Sequence, residues 1–142
     1  MDEFVEKVGK PAGNQGVLRL SLSFSEREKT RQRVILDSGE EVALNLPRGT
    51  VLRGGDLLST SCGRLILVEA AAEAVTTVSS AHDLVRIAYH LGNRHVNLQV
   101  GESWVRYVSD HVLDNMVLGL GGHLVHENVP FEPEAGAYAH GH

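Results

Sequence analysis

The chain is expected to fold as an α+β protein: a small all-β domain, then a ferredoxin-like βαββαβ domain, then a flexible tail carrying histidines. Three observations point there. Short apolar runs separated by turn residues fill the first half. From about residue 75 alternating strands and helix-period segments take over. All eight histidines lie after position 81. The expected limits are residues 1–72, 73–129 and 130–142, and a chain of 142 residues can bury one modest core or two small ones.

In the first half, strands are expected over residues 17–23, 33–36, 42–46 and 64–67. They are punctuated by Asp37-Ser38-Gly39, Pro47-Arg48-Gly49 and Gly54-Gly55-Asp56, which supply turn geometry. The mixed-charge run from Ser25 to Arg33 reads as a solvated turn and strand edge rather than a basic docking patch.

In the second half, residues 75–78 read as a strand. Ser80 is the expected N-cap of a helix running to about Leu91, with Asp83 three residues on. Ala81, Leu84, Val85, Ala88 and Leu91 form its expected core face, and Gly92 is placed at the left-handed position that stops it. Residues 96–100 and 104–108 alternate as neighbouring strands. A second helix starts near Ser109 or Asp110, buries Val112, Leu113, Met116, Val117 and Leu120, and stops at Gly121-Gly122. Residues 124–126 supply the last strand, which completes the split βαβ order. Residues 130–142, with two prolines and no periodicity, read as a mobile tail.

Composition narrows the function. No apolar run approaches the roughly 18 residues of a membrane span, and the acidic Met1-Asp2-Glu3-Phe4 start is unlike a signal peptide, so the expected compartment is the cytoplasm. One cysteine, Cys62, excludes a disulfide framework and a thiolate-rich metal site. The net charge of −5 argues against nucleic acid as a partner. Residues 1–72 hold ten Lys/Arg and ten Asp/Glu, whereas residues 73–142 hold three and eight. An acidic, histidine-rich half with few cations favours a divalent metal.

Three histidine groupings stand out. His90-Leu-Gly-Asn-Arg-His95 puts one imidazole in the last helical turn and the next just before a strand. For His90 the favoured reading is structural, satisfying the helix end, and for His95 spacing leaves ligand and structural roles equally open. Asp110-His111 suits an N-cap and an exposed first turn, with His111 either a weak surface ligand or an ordinary solvent-facing residue. His140-Gly-His142 places two imidazoles where they can reach one ion. His123 and His126, spaced by three, fall on opposite faces of a strand and read as structural. No hydrolase elbow, zincin helix, phosphate loop or dinucleotide fingerprint is present. Imidazole and carboxylate donors suit nickel, zinc, copper or cobalt without choosing among them.

The strings Tyr89-His-Leu-Gly-Asn-Arg-His-Val-Asn-Leu-Gln99, Asp110-His-Val-Leu-Asp114 and Pro130-Phe-Glu-Pro-Glu-Ala-Gly-Ala-Tyr138 closely resemble the UreE family of urease accessory nickel metallochaperones. So do Arg31-Gln-Arg-Val34, Asp37-Ser-Gly39, Leu46-Pro-Arg-Gly49 and Leu52-Arg-Gly-Gly-Asp56 in the first half. The resemblance implies an N-terminal domain for partner proteins and a ferredoxin-like domain that forms a homodimer. It implies Ni(II) held by His95 from each subunit, with His140 and His142 adding to the coordination and Zn(II), Cu(II) or Co(II) able to bind the same site. His111 and His90 are the weaker candidates. It further implies delivery through the UreG GTPase and the other accessory proteins to the urease apoprotein, with no catalysis. Two positions depart from the family pattern: Asn97 stands where a proline is usual, and Ser109 where some members carry a histidine that pairs with the residue matching His111. A metal-dependent hydrolase using His111, Asp110 and the tail, or a metal buffer or sensor unrelated to urease, are the alternatives.

Overall fold

The computed structural model describes residues 1–9 and 17–136, which fall into two compact units that divide after Ala71. His140 and His142 lie outside the described residues.

The described residues of the first unit hold seven strands, β1 (Glu3–Phe4), β2 (Glu6–Val8), β3 (Leu18–Leu22), β4 (Arg31–Ile35), β5 (Glu41–Asn45), β6 (Leu57–Ser59) and β7 (Leu65–Ala70), and one short helix, α1 (Phe24–Arg27). They form a three-stranded sheet in the order β1-β5-β4 and a four-stranded sheet in the order β2-β6-β7-β3. Period-2 alternation sends Val34, Val42 and Leu44 inward to join Phe4, Leu20, Leu58, Ile66 and Val68 in one core. The run after Ser23 departs from the solvated turn expected of it. Ser23 and Glu26 make a reciprocal capping box that starts α1, and Arg27 is wholly buried. Its guanidinium donates to the carbonyls of Leu22 and Leu52 and lies over the Phe24 ring, so the charge is kept inside by acceptors rather than by water.

The second unit is built from β8 (Ala72–Ser79), α2 (Leu84–Asn93), β9 (Gln99–Val100), β10 (Val105–Val108), α3 (His111–Gly119) and β11 (His123–Pro130). Its sheet runs β11-β8-β10-β9 with every pairing antiparallel, the ferredoxin-like arrangement expected. Val78, Val105 and Tyr107 from the strands meet Ile87, Leu91 and Val117 from the helices in a single buried cluster.

Several local expectations are corrected here. α2 starts at Leu84 because Ser80 accepts a hydrogen bond from the Asp83 amide (3.0 Å) in a turn ahead of the helix. The core stripe is therefore Leu84, Ile87, Ala88 and Leu91, while Val85 is 86% exposed. Val112, placed in the buried stripe of the second helix, is 50% exposed. Gly92 stays helical, and the left-handed residue is His95, with φ 59°. β9 is shorter than residues 96–100 because the turn after α2 still occupies Val96. The last strand continues to Pro130, and Phe131 is wholly buried. The start of the supposed mobile tail is thus part of the folded unit.

Candidate metal centre

His95 owes its position to the way α2 ends. The amide of Val96 donates to the Leu91 carbonyl (3.3 Å) and that of His95 to the Gly92 carbonyl (3.0 Å). These two bonds are the 6→1 and 5→2 pair of a Schellman turn, with His95 in the left-handed seat usually given to glycine. Val96 and Leu91 both pack into the core, the hydrophobic contact that accompanies such turns. The His95 side chain is exposed. The backbone beneath the imidazole is consequently fixed at both ends, while the ring faces solvent.

The other candidates fall elsewhere. His90 is half-buried and lies edge-on to Tyr89, with ring centroids 5.1 Å apart. His111 is the exposed first residue of α3. Its neighbour Asp110 spends its carboxylate on the cap, accepting from the amides of Val112 (2.8 Å) and Leu113 (3.2 Å). Among the described residues no group of three or more His, Cys, Asp or Glu is placed to hold a metal ion. One chain's described residues therefore contribute only part of a ligand set around His95.

His126 has a firm structural partner. Its Nε2 lies 2.8 Å from Asp114 Oδ2, and Asp114 also accepts from the Tyr107 hydroxyl and from Thr76 Oγ1 (2.9 Å). Burial opposes the charge on Asp114, but the hydrogen bonds from Tyr107, His126 and Thr76 outweigh it and hold its carboxyl below the ordinary value. An ionised carboxylate can only accept, so His126 is the donor. Burial, with the Asp114 acceptor beside it, pushes the Tyr107 hydroxyl well up. Ser109 Oγ lies 3.0 Å from Thr76 Oγ1. This network ties α3 to three strands, and sequence spacing carried no signal of it. Two further features escaped the sequence reading. Val85 and Tyr89, 86% and 64% exposed, form an apolar i, i+4 stripe on α2 away from the core. Residues 131–134 are joined to β9 and its approach: the Glu132 amide donates to Gln99 Oε1 (3.0 Å) and the Glu134 amide to the Leu98 carbonyl (2.8 Å).

Residues 4–71 match the UreE urease accessory protein, N-terminal domain, and residues 70–142 match the UreE urease accessory protein, C-terminal domain. The chain belongs to the UreE family. It is 49% identical to the urease accessory protein UreE of Vibrio parahaemolyticus over 138 residues, covering 90% of this chain and 86% of that protein. It is 53% identical to that of Cupriavidus pinatubonensis over 126 residues, covering 87% of this chain and 57% of the relative. For Cupriavidus necator the figures are 52%, 87% and 66%. The chain thus spans less than two thirds of the length of the two Cupriavidus relatives. The matched family is one of urease accessory proteins, which speaks against the hydrolase alternative. No helix among the described residues is long and apolar enough to cross a membrane.

Proposed function

We propose that the chain is a nickel carrier for urease maturation, in which two protomers bring their His95 imidazoles to one Ni(II) on a twofold axis. The observation that carries this is an exposed histidine locked in a left-handed helix-terminal turn, on a surface without two further described ligands. A twofold axis beside His95 doubles the imidazoles at the ion without asking more of either chain. The Val85 and Tyr89 stripe lies on the same helix and supplies apolar surface for that contact. His140 and His142 complete the coordination, and Zn(II), Cu(II) or Co(II) compete for the same donors. The ion is cargo, passed by way of the UreG GTPase and the other accessory proteins to the urease apoprotein. The first unit, Met1–Ala71, serves partner proteins, the second unit serves dimerisation and metal, and the end of the chain adds ligands.

The test is calorimetric titration of nickel into the wild-type, His95→Ala and Val85→Asp proteins. His95→Ala is expected to keep the fold and the dimer while losing the tight site. Val85→Asp puts an unpaired carboxylate into the apolar contact, so it should weaken the dimer by roughly tenfold or more and weaken nickel binding with it. An unchanged tight site in the His95→Ala dimer refutes the assignment.

A further inference from the structure

The fold sorts the mixed-charge run from Ser25 to Arg33. Glu26 is spent on the capping box of α1, and Arg27 is wholly buried. Arg31 and Arg33 lie on β4 and are exposed, as is Ile35 two residues on. Side chains alternate along a strand, so these three share its outer face while Gln32 and Val34 turn the other way. Neither guanidinium meets an ion-pair or hydrogen-bond partner among the described residues.

The main chain is open at the same three residues. β4 is the outer strand of its sheet and pairs with β5. The Leu46 amide donates to the Thr30 carbonyl (2.8 Å) and the Leu36 amide to the Glu40 carbonyl (2.8 Å), which sets the phase of the antiparallel ladder. Alternate residues bond across such a ladder. Gln32 and Val34 therefore face Leu44 and Val42 in bonded pairs, and the N–H and C=O groups of Arg31, Arg33 and Ile35 point away from β5. They meet no partner among the described residues. The open stretch ends after Ile35, where the Asp37 amide donates to the Arg19 carbonyl (3.0 Å).

We propose that the outer edge of β4 takes an extended acidic segment of a partner protein as an added strand. Its carboxylates stand opposite Arg33 and Arg31, and an aliphatic side chain stands opposite Ile35. The proposal deepens, and rests on, the reading of the first unit as the one that serves partner proteins. Main-chain bonds to the open edge supply affinity, and the alternate side chains supply specificity. Run antiparallel to β4, the segment has the pattern aliphatic, any residue, acidic, any residue, acidic. Opposite charges across a strand pair attract, and like charges oppose pairing. A second copy of the chain is thereby disfavoured, because pairing two β4 edges about Gln32 or Arg33 sets arginine opposite arginine. The same two residues guard the edge against self-association and select an acidic occupant.

The probe is the peptide acetyl-TVTETET-amide, with acetyl-TVTKTKT-amide as its charge-reversed control, titrated into the full chain while amide exchange is followed by NMR. The acidic peptide should slow exchange at Arg31, Arg33 and Ile35 and leave Gln32 and Val34, already in the ladder, unchanged. Arg31→Ala combined with Arg33→Ala should weaken it about 2- to 30-fold, the range for two cross-strand charge pairs. Arg31→Glu combined with Arg33→Glu should reverse the preference to the lysine peptide. Arg33→Pro removes an outward N–H and no ladder bond, so it should weaken the acidic peptide more than Arg33→Ala does. Protection that is absent or spread over all five residues, equal binding of the two peptides, or Arg33→Pro no worse than Arg33→Ala overturns the added strand and leaves the arginines as edge guards. Urease activation in cells supplied with the charge-reversed chain separates the edge from the reading beneath it, and it is expected to fall. A protected edge with undiminished activation refutes the service of this unit to urease partners. Diminished activation without edge protection refutes the added strand and keeps the partner reading.

Discussion

Replacing His95 by glycine is expected to make the metal-free protein more stable while abolishing the proposed nickel site. His95 holds φ 59°, a region where the Cβ of an L-residue crowds the backbone at about 1–2 kcal/mol and glycine does not. Its exposed ring contributes little to the core, so glycine loses little packing there. Against the relief stands the greater freedom of glycine in the unfolded chain, worth about 0.4–1 kcal/mol. The balance is a gain of roughly 0.5–1 kcal/mol, which raises the midpoint by about 1–4 °C at about 2–4 °C per kcal/mol. His95→Ala keeps the crowding and receives none of the gain. Thermal and urea unfolding of both variants beside wild type, in EDTA, gives the ranking, and nickel calorimetry gives the site. The reasoning is refuted if His95→Gly is no more stable than His95→Ala, because the left-handed turn then stores no strain.

The Asp114 network makes two further predictions. Asp114→Asn should lower stability at neutral pH by about 1–3 kcal/mol, since one amide oxygen replaces a charged acceptor of three donors. Because the folded carboxyl is held below its unfolded value near 3.9, its contribution is present above that pH and fades as pH falls through the folded value. Wild type should therefore show a steeper acid loss in urea melts than Asp114→Asn. Tyr107→Phe should cost about 1–2 kcal/mol near neutrality. Its wild-type hydroxyl is raised on folding, so that contribution is present below pH about 10 and is lost as pH rises beyond it. Circular-dichroism melts between pH 9 and pH 11 should show wild type losing stability faster than Tyr107→Phe.

Much of the second unit was legible because its elements announce themselves locally. Asp110 caps α3, Gly121 takes the left-handed seat at its end (φ 88°), and β10 alternates in period 2. What could not be read depended on competition between neighbouring signals or on contacts distant in sequence. Ser80 and Asp83 both suit an N-cap, and choosing the first rotates the predicted core face enough to bury Val85 and overlook Ile87. Gly92 looked like the stop because glycine favours left-handed backbone, yet the core contacts of Leu91 and Val96 close the turn three residues later and assign that conformation to a histidine. In the first unit, β1, β2 and β6 are two or three residues long. Their pairing, such as Glu3 with Ala43 and Lys7 with Leu58, has no periodic signature at that length. Arg27 shows the limit of charge patterning, since its carbonyl acceptors come from Leu22 and Leu52 and nothing in a run of mixed charges singles it out.

The proposed site rests on a division of labour within the chain. A complete rigid cage in one protomer would hold an ion tightly and surrender it slowly, because every donor would be fixed before the metal arrived. In the proposed nickel site one donor, His95, is fixed by two main-chain bonds, and the described residues do not add two more beside it. On that proposal the remaining donors arrive from a second copy or from the end of the chain, so losing any one of them opens the coordination without unfolding the turn. That separation lets a metal site be both specific in geometry and reversible in occupancy, the pair of properties a carrier requires.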